Sequence, residues 1–236
     1  TTEIYTLSLH DALPIWRVLI LDDVVQTTAR DEFIYHEMLA HVPLFSLDAP
    51  REVLIIGGGD GGCLEEVLKH PVDRVTMIEL DRQVVDLAQA HLGMICGAAF
   101  DDPRTELRIE DGAKFLAETN RRFDLIIIDS TDPIGPGVVL FNPEFYANCR
   151  RCLLPTGILA TQNGVPFIQA EELTASATAF KDLFKYPRFC FAAVPTYMGG
   201  VMAFGCASDS TDAGAIPLET LRARQQQLAL DLSYYS

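Results

Sequence analysis

The run Val53-Leu54-Ile55-Ile56-Gly57-Gly58-Gly59-Asp60-Gly61-Gly62 constrains this chain more than any other stretch. Four uninterrupted apolar residues read as a strand buried on both faces, and the glycines read as the turn into the next helix. Gly57, Gly59 and Gly62 stand at G-x-G-x-x-G spacing, the layout of a nucleoside-binding βαβ unit. Glycines alone are a weak signal. The acidic residues at the expected strand ends sharpen it, because Asp60, Glu79, Asp111, Asp129 and Asp132 would face one crevice. A pocket with that much negative charge suits a cation and repels phosphate.

A regular alternation follows from Arg51 onward. Strands are expected at 53–56, 74–79, 107–109 and 123–128, with helices at 63–69, after Asp81 and from Asp111-Gly112. Helices near 143–152 and 169–184 flank a strand at 157–161, and 189–194 with 201–206 read as an antiparallel hairpin closing the sheet. This pattern predicts an α/β chain built on a Rossmann-like, doubly wound sheet, with ligands at the carboxyl ends of the strands. Ahead of it, 17–21 and 24–27 read as a β-hairpin layer turning at Asp22-Asp23. Residues 31–41 read as a helix capped by Asp31 or Thr28 and stopped by Pro43.

Composition narrows the function. The chain has 236 residues and 49% hydrophobic content, enough for one sizeable α/β domain plus a small appendage. A formal net charge of −15 leaves no basic surface to neutralise phosphates, so nucleic acid is not the expected partner. The same charge could attract a small polycation or serve solubility alone. No apolar run reaches the ~18–20 residues that span a bilayer, and Thr1 onward lacks the basic region of a secretory signal, so no membrane is expected. Cysteines 63, 96, 149, 152, 190 and 206 are scattered as in a reduced cytosolic protein. Cys149-Arg-Arg-Cys152 is formally C-x-x-C, but with no second Cys/His pair it reads as core rather than as a redox or metal site.

Each carboxylate has a bland reading beside the functional one. Asp60 sits in a glycine turn, where aspartate is common for backbone reasons. Glu79 ends a strand, where its two oxygens could accept from both ribose hydroxyls, or it could cap a helix. Asp111 could simply cap its helix, or accept from an adenine amino group. Asp129-Ser-Thr-Asp132-Pro-Ile-Gly-Pro136-Gly137 is the strongest local signal. It puts two aspartates three apart directly after a buried strand, an arrangement that is costly unless a cation or hydrogen bonds compensate.

Four segments then carry a resemblance: 31–38 (DEFIYHEM), 54–62 (LIIGGGDGG), 129–137 (DSTDPIGPG) and 195–200 (PTYMGG). They closely resemble the spermidine synthases, the polyamine aminopropyltransferase family, in its bacterial form, over roughly residues 17–235. The resemblance implies a class I S-adenosylmethionine-dependent methyltransferase type of fold with an N-terminal β-hairpin layer. It also implies transfer of an aminopropyl group from decarboxylated S-adenosylmethionine, a co-substrate, to putrescine. The products are spermidine and 5′-methylthioadenosine, and the reaction takes no separate cofactor and no metal. By match to the family motifs, Asp129 is the acid/base residue. Asp60, Asp132, Tyr35 and His36, with Gln162 and Tyr197, line the polyamine site. Gln26, Gly57, Gly59, Glu79, Asp111, Gly112 and Pro136 line the nucleoside site. The family further implies a homodimer or homotetramer in the cytoplasm.

The residue types suit that chemistry. An alkylammonium titrates near the lysine value of about 10, so freeing the amine at neutral pH costs roughly 4 kcal/mol at ~1.36 kcal/mol per pKa unit. A carboxylate is a weak base for this in water, and burial beside other charges narrows the gap. Decarboxylation leaves the donor an ammonium end and no carboxylate, which acidic residues such as Asp60 would favour.

The ends depart from the family. Residues 1–16 do not match its N-terminal hairpin, and 5–15 (YTLSLHDALPI) resemble translated sequencing-adapter read-through. The expected division is therefore a non-family leader at 1–16, a remnant β-layer and linking helix at 17–48, and a Rossmann-like catalytic domain at 49–236, truncated at the N-terminus. Tyr234-Tyr235 resembles the family's Tyr-Tyr-Asn, after which a further helix is expected. Asp23 replaces the usual turn glycine and tolerates positive φ better than most residues. Rival readings are a putrescine N-methyltransferase on the same fold, an aminopropyltransferase with a cadaverine or spermidine acceptor, and an inactive ligand-binding fragment.

Overall fold

A computed structural model describes residues 2–5, 17–21, 23–131 and 135–236. The chain opens with a small antiparallel sheet in the order β1-β2-β3, formed by β1 (Thr2–Tyr5), β2 (Val18–Leu21) and β3 (Val24–Thr28). Thr2–Tyr5, inside the expected leader, pairs with β2 from Thr2↔Leu21 to Tyr5↔Val18. The β2–β3 turn holds Asp23 at φ +64°, the left-handed conformation that aspartate tolerates better than most residues.

Helix α1 (Glu32–Ser46) leads into the alternating part: β4 (Glu52–Gly57), α2 (Gly62–Leu68), β5 (Arg74–Glu79), α3 (Arg82–His91), α4 (Gly93–Cys96), β6 (Thr105–Ile109), α5 (Gly112–Glu118) and β7 (Phe123–Asp129). It continues through α6 (Pro143–Cys152), β8 (Leu153–Gln162), α7 (Ala170–Leu183), β9 (Tyr186–Ala193), β10 (Val201–Ser208) and α8 (Leu218–Leu228). The large sheet has the order β6-β5-β4-β7-β8-β10-β9. Strands β4 to β8 pair in parallel, and β10 runs antiparallel between β8 and β9, closing the sheet with the expected hairpin. Strand order reverses between β4 and β7, and a doubly wound sheet leaves its ligand crevice at that point.

Side-chain parity decides how this sheet is covered. Val53, Ile55, Val75, Met77, Leu125 and Ile127 pack on one face with α1 and α2. Leu54, Ile56, Ile78, Ile126 and Ile128 pack on the other with α5, α6 and α7. Successive strand residues point to opposite faces, so a continuous apolar run is what a sheet covered on both sides requires. Leu19 of the small sheet meets Val84, Ala88 and Leu92 of the α3 region, which fixes the hairpin layer beside the crevice. Cys149 and Cys152 are buried core residues of α6, and burial pushes both thiols up.

Two local expectations are corrected. Strand β8 begins at Leu153 rather than at Gly157. Pro43 does not stop α1, which runs on to Ser46. Proline in the last turn gives up only the single bond its missing N–H would have made to the carbonyl four residues back, and here it is buried. The helix ends where Leu47 turns extended.

The segment after α8 returns to α1. Buried Glu37 accepts backbone N–H bonds from Ser233, Tyr234 and Tyr235 at 2.6, 2.8 and 2.7 Å. Tyr235 stacks on Phe45 at 5.4 Å and also meets His41. Behind that stack the His41 Nδ1 and His70 Nε2 atoms lie 2.9 Å apart, and His41 Nε2 meets Glu66 at 3.0 Å. Burial lowers His41 to about 4 and His70 to about 3, the latter helped by repulsion from His41.

Two outcomes follow from this junction. Glu37→Gln replaces one accepting oxygen with a donor facing backbone N–H groups, and should cost about 1–3 kcal/mol in urea unfolding with earlier cleavage near 233–235 in limited proteolysis. The paired histidines are neutral when folded, whereas an unfolded histidine takes a proton below about 6.5. Their contribution is therefore complete above that pH and is lost on acidification toward the folded values. Unfolding free energies at pH 7 and pH 5 should show wild type weaker at pH 5, with His70→Asn narrowing the difference.

Candidate active site

The parallel register of β4 against β7 ends with Gly57 opposite Asp129, and the Gly58 N–H donates to the Asp129 carbonyl at 2.7 Å. The glycine turn and the acidic strand end are thereby locked together at the crevice. A side chain at Gly57 is excluded twice over: its φ is +85°, and a Cβ there would lie 2.1 Å from the Asp129 carbonyl oxygen. At Gly62 a Cβ would lie 2.2 Å from Cε1 of His36, so the absence of a side chain lets α1 approach the start of α2.

These elements surround a cavity of about 780 Å³, within the size range of small-molecule sites. Gln26, Tyr35, His36, Gly57, Gly59, Asp60, Glu79, Asp111, Gly112, Asp129, Gln162 and Tyr197 all line it. Asp132 lies outside the described residues, and so does the side chain of Pro136. Apolar side chains complete the walls, including Ile56, Ile78, Val84, Leu140 and Met202.

Asp129 accepts from the Tyr35 hydroxyl at 2.6 Å. Burial pushes its carboxyl up to about 6, and the nearby Asp60 and Glu79 charges add to the rise, while His36 and the Tyr35 bond oppose it. Tyr35 itself is raised well above its ordinary value, first by burial and then by the Asp129 charge, so it stays a donor. His36 Nδ1 meets Glu32 at 2.7 Å, and Nε2 faces Asp60 at 3.4 Å. Burial alone would lower the imidazole, but the two carboxylates outweigh it and hold it well above its ordinary value, charged at neutral pH. The donor atoms of His36, Asp60 and Asp129 fall within 4.8 Å of one another. Since both ring nitrogens of His36 already face carboxylates, the trio offers oxygens to an ammonium rather than an imidazole lone pair to a metal.

The rest of the acidic lining is built from strand ends and the turns after them. Glu79 closes β5, where burial raises its carboxyl although the Asp81 N–H donates to it at 3.0 Å. Asp111 caps α5, accepting from Ala113 and Lys114 N–H through Oδ1 at 2.8 and 3.0 Å, and its residue also lines the cavity. The capping reading of Asp111 holds, and the residue faces the cavity as well.

One assignment changes on contact with the structure, and two other residues show bonds to distant segments. Asp31 does not cap α1, and neither does Thr28. The Asp31 carboxylate instead accepts from the Thr196 N–H at 2.7 Å, from the Thr196 hydroxyl and from Thr28 at 2.7 Å, tying the β9–β10 connection to α1. Gln162 is buried, and its amide is used on loops: Nε2 donates to the Ser130 and Thr131 carbonyls and Oε1 accepts from Gly164 N–H. These bonds position the segment after Asp129, and Gln162 also lines the cavity. Tyr197 donates to the Gln26 carbonyl at 2.7 Å, joining β3 to the same β9–β10 connection. Glu32 was passed over in the sequence, although its i, i+4 spacing to His36 is the pairing distance on a helix.

Comparison with known proteins follows the same lines. The sequence profile of the Spermine/spermidine synthase domain matches residues 32–214. A polyamine aminopropyltransferase of Ruegeria sp. (strain TM1040) is 54% identical over 221 residues, covering 93% of this chain and 78% of the relative. Polyamine aminopropyltransferase 1 of Pseudomonas aeruginosa is 52% identical over 236 residues, covering 100% of this chain and 82% of its own. Among solved structures, a spermidine synthase in complex with the transition state analogue AdoDATO superposes with a TM-score of 0.87 at 37% identity, covering 93% of this chain and 74% of that one. Spermidine synthase from Thermotoga maritima gives 0.85 at 36% identity with the same coverage.

The Asp31 tether yields a direct expectation. Asp31→Asn removes one acceptor and the charge that holds Thr196. Hydrogen exchange by mass spectrometry should quicken across 194–200 by about tenfold, matching a loss of ~1.4 kcal/mol, while the amides of β4 and β7 keep their protection.

Proposed function

Because the chain belongs to the spermine/spermidine synthase family, a family of transferases, we propose that its cavity moves the aminopropyl group of decarboxylated S-adenosylmethionine to putrescine. The observation that carries the reading is Asp129, half-buried at the end of β7 and held by Tyr35 at 2.6 Å, where Asp60, Glu79 and Asp111 also line one cavity. The products are spermidine and 5′-methylthioadenosine.

In this reading the acceptor ammonium lies among Asp60, Asp129 and Asp132, and Glu79 takes the ribose hydroxyls. Asp111 and Gly112 take the adenine, with Pro136 beside it. Asp129 removes one proton from the ammonium. The freed nitrogen lone pair attacks the methylene next to the sulfonium, a C–N bond forms, and the C–S electron pair stays on sulfur as a neutral thioether. The chain's own share is to hold these partners in line and to accept the proton. An ordinary aspartate near 3.9 would face an amine near 10 across about 6 pKa units, whereas Asp129 at about 6 faces it across about 4. That difference is about 3 kcal/mol of proton-transfer cost, and burial supplies it.

Donor choice has the same electrostatic origin. An intact S-adenosylmethionine would bring a carboxylate toward Asp60 and Asp129, and like charges in a poorly hydrated site disfavour it. No observation favours the N-methyltransferase alternative. The division into a β-layer with linking helix at 17–48 and a catalytic domain at 49–236, a leader at 1–16, a homodimeric or homotetrameric state and a cytoplasmic location belong to the same proposal. Among the described residues, no helix is long and apolar enough to cross a membrane.

The test is a product assay. The 236-residue chain, incubated with decarboxylated S-adenosylmethionine and putrescine, should release methylthioadenosine and spermidine in equal amounts by mass spectrometry. Asp129→Asn should lower kcat by about 10²–10⁴-fold, the range for loss of a general base. An Asn variant as active as wild type, or methylated putrescine formed from intact S-adenosylmethionine, would sink the reading.

A further inference from the structure

Glu32 does not line the cavity, yet it makes the shorter of the two contacts to His36. Its Oε2 lies 2.7 Å from Nδ1, against 3.4 Å between Nε2 and Asp60. The geometry follows from α1: Glu32 and His36 are one turn apart and share a helix face. Tyr35, the next residue, reaches Asp129 instead. Consecutive residues of one helix thus address two of the aspartates that line the cavity, Asp129 and Asp60.

Glu32 sits on the far side of His36 from the substrate cavity. It lines a separate small cavity with Glu37, Glu65, Glu66 and Lys69, and its side chain is 16% exposed. Two of those neighbours are already engaged, because Lys69 bridges Glu65 and Glu66 at 3.1 and 2.8 Å. Glu32 is directed at the imidazole. Titratable groups facing His36 are Glu32 from α1 itself and Asp60 from the glycine turn, with Asp129 of β7 among the atoms within 4.8 Å. Those facing Asp129 are Asp60, His36, Tyr35, Glu79 and Cys63. Of these, only His36 can bring a positive charge.

We propose that Glu32 is a positioning residue for the transfer: through Nδ1 it holds His36 as an imidazolium turned toward Asp60, and that fixed cation keeps Asp129 ionised and able to accept the amine proton. The proposal rests on the reading of Asp129 as the base. No bond of the substrates involves Glu32. Its contribution is a charge passed through the ring of His36 into a site that burial would otherwise make too rich in carboxylates.

The consequence has a definite sign. Asp129 must be ionised to act, so activity falls as pH drops through its value of about 6. Without the Glu32 charge, Asp60 alone holds the imidazolium, His36 loses its proton more readily and opposes the rise at Asp129 less, so activity is lost at a higher pH.

Two readouts test this in the full chain. The first is the His36 imidazole followed by NMR through a pH titration. Wild type should titrate above the ordinary imidazole value, and Glu32→Gln should titrate lower than wild type. A wild-type His36 that titrates at or below about 6.5 overturns the proposal without any variant. The second is the acid limb of kcat/KM for putrescine, which Glu32→Gln should move up by about one pH unit, an approximately tenfold loss near pH 6 with most activity kept near pH 8. Glu65→Gln, in the same small cavity and away from His36, should leave the limb in place. Glu32 also stands in the first turn of α1, where a carboxylate favours the helix dipole. A purely structural role would lower the melting temperature and move neither readout, and that result overturns the proposal. An unmoved limb with Asp129→Asn still inactive counts against Glu32 alone, whereas an active Asp129→Asn counts against the base assignment itself.

Discussion

Everything at the site hangs on one main-chain contact, the Gly58 N–H to the Asp129 carbonyl at 2.7 Å where β4 and β7 end side by side. It places a glycine turn and an acidic strand end in van der Waals contact, a closeness no residue with a Cβ at Gly57 allows. Both strands are buried on two faces, so neither can slide: a one-residue slip would exchange the sets of side chains facing α1 and α5. The precision of the carboxylates is therefore borrowed from the core. Their energetic cost is met nearby, by the Tyr35 hydroxyl and the His36 ring.

A buried anion can be stabilised by hydrogen bonds, by a cation or by protonation, and the cavity uses all three in graded amounts. Asp129 receives one phenol bond and remains partly protonated near pH 6. Asp60 faces an imidazolium. Glu79 leans on the main chain after β5. An ammonium is complementary to such a set of carboxylates, so a pocket of this kind favours cationic molecules over neutral ones of the same shape.

What was legible in the sequence was local. Strand parity, the glycine spacing and the carboxylate at each strand end are consequences of period and turn chemistry, and the structure brings Asp60, Glu79, Asp111 and Asp129 to one cavity as expected. The positive φ of Asp23 was legible for the same reason. What escaped depends on partners far along the chain. Asp31 reads as a helix cap because its local surroundings say so, yet its carboxylate is taken by Thr196, 165 residues away. Gln162 reads as a pocket residue and does line the cavity, but its bond to the Ser130 carbonyl, 32 residues away, is not legible locally. Pro43 reads as a stop because local rules cannot weigh how little one lost bond costs in a last, buried turn. Glu32 was within reach, since its partner is one turn away, but only the structure shows that His36 also faces Asp60.

Tyr35, His36 and Glu37 are adjacent in α1, and each serves a different place: Asp129, Asp60 and the backbone of 233–235. At about 100° per residue, three neighbours sweep more than half the circumference of a helix. Neither a rotation nor a slide of α1 can satisfy one of them without disturbing the other two. The segment at 233–235 is thus mechanically geared to the carboxylates although it contributes nothing to the cavity wall. An environment-sensitive dye beside Tyr235 would serve as a remote gauge of the site, reporting changes there from a surface that no substrate touches.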